Sequence, residues 1–471
     1  LHGLYDGGHG AGLKDYWDMM MANPRCAGGF LWDLMDQGVV RTDKNNYVDC
    51  MGNFGADGIV GPHAEKEGSY YTIKEVWCPV QLTWNDVEKG ELTLSNQYNF
   101  VNLKDCRFSY RLLQMPAMGS TQVKVLKQGN LSSPDVAPGK EAQVKIPMMA
   151  NADAVEIKAV NHEGEEIMTW SRGVKSEERR VKNSSAPSTS SAAYADQADA
   201  VEVKAGGRTY RFAKKDGRLM GVEVGSKAIS LSNGPRFMAA RRSDRSLDQF
   251  YNHDDKEAEK KKTLYTEFVD QGAFAGFEWK EAEAKLVATY QHGSLDEVDW
   301  QFLSDGSVAV TCHYNFGGVV DMMGMAFDYP ESKVRSKAWV GNGPYRVWQN
   351  REQGPQYGYW QNDYNDPIPA ESWDYPEFKG YFANVKWMQF KTDEGKIGFS
   401  GLTADEHMGV YTPRDGRDGL LYTLPQTGLA VFKVIPSVRN KVNTTDLNGP
   451  SAQPKWLNGK GKTVFTLNFE L

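Results

Sequence analysis

The first 77 residues carry apolar positions at helical spacing, interrupted by short continuous apolar runs. Residues 12–23 place their apolar side chains on one helical face, and a proline follows where a helix would end. Residues 26–32 form a continuous apolar run, which is typical of a strand buried on both faces. Residues 66–77 predict a second helix. This alternation predicts part of a parallel α/β fold.

From about residue 80 the pattern changes to a period of two. Alternating apolar and polar stretches, separated by turn signals, lie at residues 92–100, 107–112, 123–126, 143–146 and 155–160. About seven short strands in such a segment predict an immunoglobulin-like sandwich.

A charged and small-residue stretch then separates two strand-rich parts. Residues 175–200 are predicted to be a linker, because their polar composition cannot bury a core. The later pattern is strand-like throughout, with a hairpin predicted around Asp216-Gly217, and it favours one large β-sandwich. The predicted domains are therefore 1–78, 79–174 and 201–471, with the linker at 175–200.

Composition narrows the classes of function. A hydrophobic fraction of 40% and a charged fraction of 24% are globular values. A net charge of -7 argues against a nucleic-acid partner, and no apolar run reaches the roughly 20 residues of a membrane span. The five cysteines lack CxxC spacing, which argues against a disulfide framework or a zinc site. Abundant aromatic residues suit either strand cores or surfaces that pack against sugar rings.

The strongest candidate chemistry lies at residues 27–38. The apolar run would deliver Trp32 and Asp33 at the C-terminal end of a strand, where (β/α)₈ barrels hold their active sites. Trp32 would then face a sugar ring, and Asp33 and Asp36 would accept hydrogen bonds from hydroxyls. Alternatively, Trp32 packs in the core and the aspartates cap local backbone.

Several motifs resemble family 2 glycoside hydrolases of the β-galactosidase branch. They are Leu1-His2-Gly3, Asp15-Tyr16-Trp17, Pro24-Arg25, Gly28-Gly29-Phe30, Trp32-Asp33, Asp36-Gln37, residues 53–60, residues 210–219 and the Trp-x-Gly-x-Gly-Pro motif at 339–344. The resemblance spans essentially the whole chain. It implies a multidomain protein: the C-terminal portion of a (β/α)₈ barrel, then an immunoglobulin-like sandwich and a large β-sandwich.

The resemblance implies a retaining exo-β-glycosidase, above all a β-galactosidase, that acts through a covalent glycosyl-enzyme. In the family the nucleophilic glutamate stands three residues before the motif histidine, here His2, and the acid/base glutamate stands earlier still. Both are expected upstream of Leu1. No pair of carboxylates in this chain then fills the two catalytic roles, and the segment alone is expected to be inactive.

The same resemblance assigns sugar-binding and cation-binding residues. His2 would hydrogen-bond a sugar hydroxyl, Trp32 would pack under the ring, and Asp33 would bind hydroxyls. Phe54 and Asp57 match a pair that supports a monovalent cation and a sugar hydroxyl. Asp57 stands where the family β-galactosidases usually have asparagine, which puts the sodium site and the galactose preference in question. Magnesium is implied on upstream ligands, with no organic cofactor.

Alternatives remain within and outside the enzyme class. A β-glucuronidase or another β-glycosidase of the family is the first, and a non-catalytic glycan-binding protein is the second if the chain is complete as written. The expected partners are a β-galactoside or related glycan, the rest of the barrel in the same or a companion chain, and further copies in a homo-oligomer. The bacterial periplasm is favoured over the cytoplasm. Aromatic residues crowd the stretch 345–387, where packing between domains is favoured over a glycan groove.

Overall fold

The structure, a computed structural model, is dominated by β-strands. It describes residues 10–49, 55, 58–174, 192–242, 265–267, 271–364, 380–411, 425, 427–438 and 449–471. The described residues form two α-helices and 29 strands, as expected for all-β modules. They include no barrel of parallel strands, so the barrel portion stays a prediction. Among them, no helix is both long and apolar enough to cross a membrane.

The N-terminal region contains both helices and one short hairpin. Its elements are α1 (Leu13–Ala22), β1 (Val39–Arg41), β2 (Tyr47–Asp49) and α2 (Gly68–Val76). Both helices occur where the apolar spacing predicts them. They meet in a small cluster that includes Leu13 from α1 and Ile73 and Val76 from α2.

The strand predicted at residues 26–32 is wrong. These residues have no regular secondary structure, and Phe30 is fully exposed. A strand needs at least one hydrogen-bonded neighbour, and the described residues supply none here. The run was interpreted as a strand from its apolarity alone, which does not provide those neighbours.

Seven strands form the next module as two small sheets. They are β3 (Val80–Asp86), β4 (Glu91–Asn96), β5 (Arg107–Gln114), β6 (Lys124–Leu131), β7 (Glu141–Lys145), β8 (Ala154–Val160) and β9 (Glu166–Gly173). The sheet orders are β3-β4-β7 and β6-β5-β8-β9. Period two is visible in β4, where Leu92 and Leu94 are buried and Thr93 between them is half-buried. The strands predicted in this stretch are confirmed.

The last twenty strands build two large sheets. They are β10 (Ala193–Asp196), β11 (Ala200–Ala205), β12 (Arg208–Ala213), β13 (Leu219–Val224), β14 (Lys227–Ile229), β15 (Ser232–Arg242), β16 (Tyr265–Glu267), β17 (Ala273–Lys280), β18 (Lys285–Gln291), β19 (Leu295–Phe302), β20 (Val308–Val320), β21 (Met322–Asp328), β22 (Val334–Gly343), β23 (Gln356–Asp363), β24 (Tyr381–Phe382), β25 (Trp387–Thr392), β26 (Lys396–Ser400), β27 (His407–Val410), β28 (Leu429–Val434) and β29 (Lys455–Glu470). One sheet runs β10-β11-β12-β13-β15-β21-β28-β27-β24, with β14 and β16 at its side. The other runs β17-β18-β19-β20-β29-β26-β25-β22-β23 and has nine strands.

These two sheets share one apolar core, so this part of the chain is a single large sandwich. Phe212 and Phe327 from the first sheet and Trp300 and Phe465 from the second are all fully buried within it. The predicted hairpin joins β12 and β13, and Gly217 adopts a φ of 74° at its turn. A side chain there would collide with the ring of Phe274, so both conformation and space favour glycine.

The predicted linker extends too far at its C-terminal end. Residues 175–191 lie outside the described part, but Ala193–Asp196 form β10, which pairs with β11. Tyr194 stacks on Trp279 at a ring separation of 5.6 Å. These four residues have the composition of a linker, but the ring contact and the strand pairing hold them in the sheet.

The aromatic-rich stretch packs between modules where it is described. The Trp387 indole N–H donates to the carbonyl of Pro116 at 2.9 Å, and Tyr357 joins it in a cluster with Leu113 and Met115. Trp348 is fully buried on another side of the sandwich. Packing, rather than a glycan groove, accounts for these residues.

Candidate functional site

The segment after Trp32 is held by a buried turn. Asp36 is 6% exposed, and one of its carboxylate oxygens accepts from the backbone N–H of Gly58 at 2.8 Å. Its own backbone N–H donates to the carbonyl of Val60 at 3.0 Å. The carbonyl of Leu34 accepts from Val60 at 3.1 Å. Asp36 is therefore a structural residue that ties residues 34–36 to 58–60, as the capping alternative expects.

This anchored turn leaves Trp32 and Asp33 near the surface. The Trp32 side chain is 62% exposed, so it is not core packing. The peptide bond between Trp32 and Asp33 is cis. The Asp33 carboxylate accepts from the backbone N–H of Leu34 and, at 3.5 Å, from the Gln37 amide. Trp32 thus offers an open aromatic surface beside a partly exposed carboxylate, a pairing that suits a ligand with both C–H and hydroxyl groups.

Many apolar side chains surround this site in sequence and are exposed. We call them the N-terminal apolar set: Met19, Met21, Phe30, Trp32, Leu34, Met35, Val39, Val40 and Tyr47. These nine side chains are the majority of the large apolar residues that are exposed in the described chain. Exposure of this density is typical of a surface that another element covers.

The large sandwich holds the beginning of α1 from one side. The backbone N–H of Gly12 donates to the carbonyl of Asn350 at 2.8 Å. The buried Asn350 amide in turn donates to the Val438 carbonyl at 2.7 Å and accepts from its N–H at 2.9 Å. Asp15 accepts from the backbone N–H of Ser451 at 2.8 Å. These bonds fix the position of α1 against the sandwich.

A second set of contacts holds α2 against the same sandwich. The Glu75 carboxylate accepts from the backbone N–H of Gly354 at 2.7 Å, and the Thr72 hydroxyl donates to the Gln353 carbonyl at 2.9 Å. Burial raises the pKa of Glu75, although the Gly354 N–H opposes that shift. Sequence reasoning missed Glu75 and Asn350, because neither belongs to a local pattern and their partners, Gly354 and Val438, are distant in sequence.

Three of the predicted site residues lie outside the described residues. They are His2, Phe54 and Asp57, so the sugar contact of His2 and the monovalent-cation site remain predictions. The structure brings Trp32 and Asp33 together, as their adjacency requires.

Comparisons with known proteins define the class. A family model described as β-galactosidase small chain matches residues 204–429, which lie in the large sandwich. A second, described as β-galactosidase domain 4, matches residues 92–170 in the seven-stranded module. Together the two models account for most of the chain. Both matches relate the chain to the C-terminal part of β-galactosidases, in agreement with the resemblance that its motifs indicated.

Individual relatives agree with this assignment. A β-galactosidase of Oenococcus oeni is 19% identical over 491 residues, which cover 95% of this chain and 46% of that protein. A β-galactosidase of Pectobacterium atrosepticum is 30% identical over 100 residues, covering 19% of this chain and 10% of that protein. The chain thus spans less than half the length of the relatives that it matches.

Among solved structures, the galactose 1-epimerase of Lactobacillus acidophilus NCFM matches 59% of this chain and 98% of its own. The identity is 9% and the TM-score is 0.34. A score of this size supports no inference about the present chain.

Proposed function

We propose that this chain is the C-terminal part of a retaining exo-β-galactosidase, in which it supplies one side of the sugar pocket. One glutamate outside this chain forms the covalent glycosyl-enzyme, and a second one, also outside it, acts as acid and then as base. The observation that carries the proposal is the match of two separate β-galactosidase modules in one chain, together with an exposed Trp32 next to Asp33.

In this proposal Trp32 packs against the C–H face of the terminal sugar. A ring that is 62% exposed is accessible to a ligand, while the Asp36 turn fixes the backbone that carries it. Fixing the backbone lowers the entropy cost of ordering the ring on binding. Asp33 accepts from sugar hydroxyls with the carboxylate lone pairs that its local donors leave free. His2 and Asp57 complete the contacts to the sugar.

The remainder of the catalytic barrel covers the N-terminal apolar set. Nine exposed large apolar side chains within 49 residues would be unfavourable in water at about 25 cal/mol per Å² of apolar area. The sandwich contacts the same region through hydrogen bonds, among them one from Gly12 to Asn350 and one from Gly354 to Glu75.

The test is hydrolysis of nitrophenyl β-glycosides by the intact parent protein. Trp32→Ala should lower kcat/KM for the β-galactoside by about 100-fold, because stacking contributes to transition-state binding. Trp456→Ala is the matched control, since Trp456 is also an exposed tryptophan, at 72%, but lies on β29 of the sandwich. This variant should leave kcat/KM unchanged.

Two outcomes would contradict parts of the proposal. If both variants cleave the β-galactoside equally well, the proposed β-galactosidase activity stands, but Trp32 is not a sugar contact. The other outcome is that the protein cleaves no simple β-glycoside but binds a β-galactoside, and that Trp32→Ala abolishes this binding. It would reject the proposed enzymatic activity in favour of a glycan-binding function.

A further inference from the structure

Three side chains able to bind a metal meet on the nine-stranded sheet. Strands β19 and β20 are antiparallel, and Glu297 on β19 pairs directly with His313 on β20. Asp299 lies two residues further along β19, so its side chain points to the same side of the sheet. One ligand atom from each residue lies within 4.8 Å of the other two.

The sandwich core determines which way these side chains point. Val298 and Trp300, which alternate with the two acids, are fully buried, and so is Cys312 beside His313. Because side chains alternate along a strand, the two acids and the histidine lie on the opposite, outer face. All three are half-buried there. The strand backbones thus hold the three side chains together on a rigid surface.

The charges around this cluster favour a bound cation. Two carboxylates at this separation repel each other unless a positive charge or a shared proton lies between them. The Lys285 ammonium group is 3.6 Å from one oxygen of Asp299, but it is closer to Glu283, at 3.0 Å. The other oxygen of Asp299 is shielded from solvent and has no hydrogen-bond partner within the described part of the chain. Lys285 therefore compensates this cluster only in part.

We propose that Glu297, Asp299 and His313 bind a divalent transition-metal ion such as Zn²⁺, which ties β19 to β20. One imidazole and two carboxylates suit zinc better than magnesium, which prefers an all-oxygen set. Tetrahedral zinc ligands lie about 3.3 Å apart, given metal–ligand distances of about 2.0–2.2 Å. Zinc binding would therefore draw these ligand atoms together by up to about 1.5 Å. This site is independent of the sugar pocket and of the proposed function.

The test is zinc titration by calorimetry of the intact parent protein after removal of metals with a chelator. His313→Asn and Glu297→Gln should each weaken one zinc site by about 100-fold or more, since each removes a direct ligand. His162→Asn is the matched control, because His162 is an exposed histidine outside this cluster, with its Nε2 3.8 Å from the Glu163 carboxylate. It should bind zinc as the unmodified protein does.

A second variant separates a metal site from an ion-pair cluster. Lys285→Met should bind zinc at least as tightly, because it removes a competing positive charge. Zinc should also raise the thermal unfolding midpoint of the unmodified protein and of His162→Asn, but not of His313→Asn. Equal zinc binding by His313→Asn and the unmodified protein would overturn the proposal. Loss of binding in Lys285→Met would do the same.

Discussion

The N-terminal region and the large sandwich differ in how many of their large apolar side chains are exposed. Residues 10–49 expose nine large apolar side chains, whereas the described residues of the sandwich expose four: Met220, Val319, Trp456 and Leu471. The sandwich is several times longer, so the contrast in density is greater still. Three of its tryptophans, Trp300, Trp339 and Trp348, are fully buried.

This contrast shows that the two regions depend on different surfaces. The sandwich closes its own core, because both of its sheets lie within this chain. The N-terminal region has one small cluster around Leu13 and Ile73, and the rest of its apolar surface faces outward. A region of this kind acquires its full stability only against a further surface, which we propose is the remainder of the barrel.

The largest effect is expected where the sandwich core is densest. Trp300→Ala should lower the free energy of unfolding by about 3–5 kcal/mol, because it removes a large buried side chain and leaves a cavity. Denaturant titration measures the change. Trp456→Ala, at an exposed position, should stay within about 0.5 kcal/mol. Similar losses in the two variants would contradict the picture of a core completed within this chain.

A smaller effect concerns His407, a half-buried histidine on β27 of the sandwich. Burial lowers the pKa of His407 to about 4, although Asp405 nearby opposes the shift. Because the folded pKa lies below the unfolded value of about 6.5, protonation favours the unfolded chain. The stabilising contribution is complete above about pH 6.5 and is lost as pH falls toward 4, by roughly 2–3 kcal/mol.

His407→Gln removes that titration. Its free energy of unfolding should fall less steeply than that of the unmodified protein between pH 6.5 and 4, as measured by denaturant titration at several pH values. Parallel pH curves for the two proteins would mean that His407 is open to water, and that the core is less closed than the structure indicates.

The junction between the two regions should be weaker than either core. Asn350→Ala should cost about 1–3 kcal/mol, because the N–H and carbonyl of Val438 lose their buried partners. Hydrogen exchange should increase at Gly12 and in the first turn of α1 while the strands of the sandwich keep their protection. Gln361→Ala, on the more accessible surface of β23, is the control. Faster exchange throughout the sandwich would show that Asn350 serves the sandwich core instead.

The smallest effect is expected at Phe30 when this chain is studied by itself. Phe30→Ser should change the free energy of unfolding by less than about 0.5 kcal/mol, because the ring is fully exposed. In the intact parent the same change should destabilise by more than 1 kcal/mol, if the barrel covers this ring. Equal changes in both settings would argue against a covering surface.

Sequence patterns predicted the elements whose stability is mainly local or periodic. The helical spacing around Leu13 and Ile73 and the strand alternation around Leu92 both correspond to observed elements. The hairpin at Asp216-Gly217 was predictable because its turn needs a residue that tolerates positive φ. The strand at 26–32 was wrong because strand pairing requires neighbours that a local pattern does not reveal.

In the candidate site, too, some features could be predicted from the sequence and others depend on the fold. The adjacency of Trp32 and Asp33, and the motifs that indicated the family, could be read directly from the sequence. The roles of Asp36 and Asn350 could not, since their partners, Gly58 and Val438, come close only when the chain folds. Trp32 could be assigned to the surface only once its exposure was known.

The sequence by itself determined the kinds of element, the all-β character of most of the chain and its resemblance to β-galactosidases, because periodicity and motifs are local properties. Tertiary structure alone decided that Ala193–Asp196 join a sheet, that Trp348 and Trp387 are packing residues, and that Glu297, Asp299 and His313 lie together. Those outcomes depend on strand register and on contacts between modules, which arise from the whole folded chain.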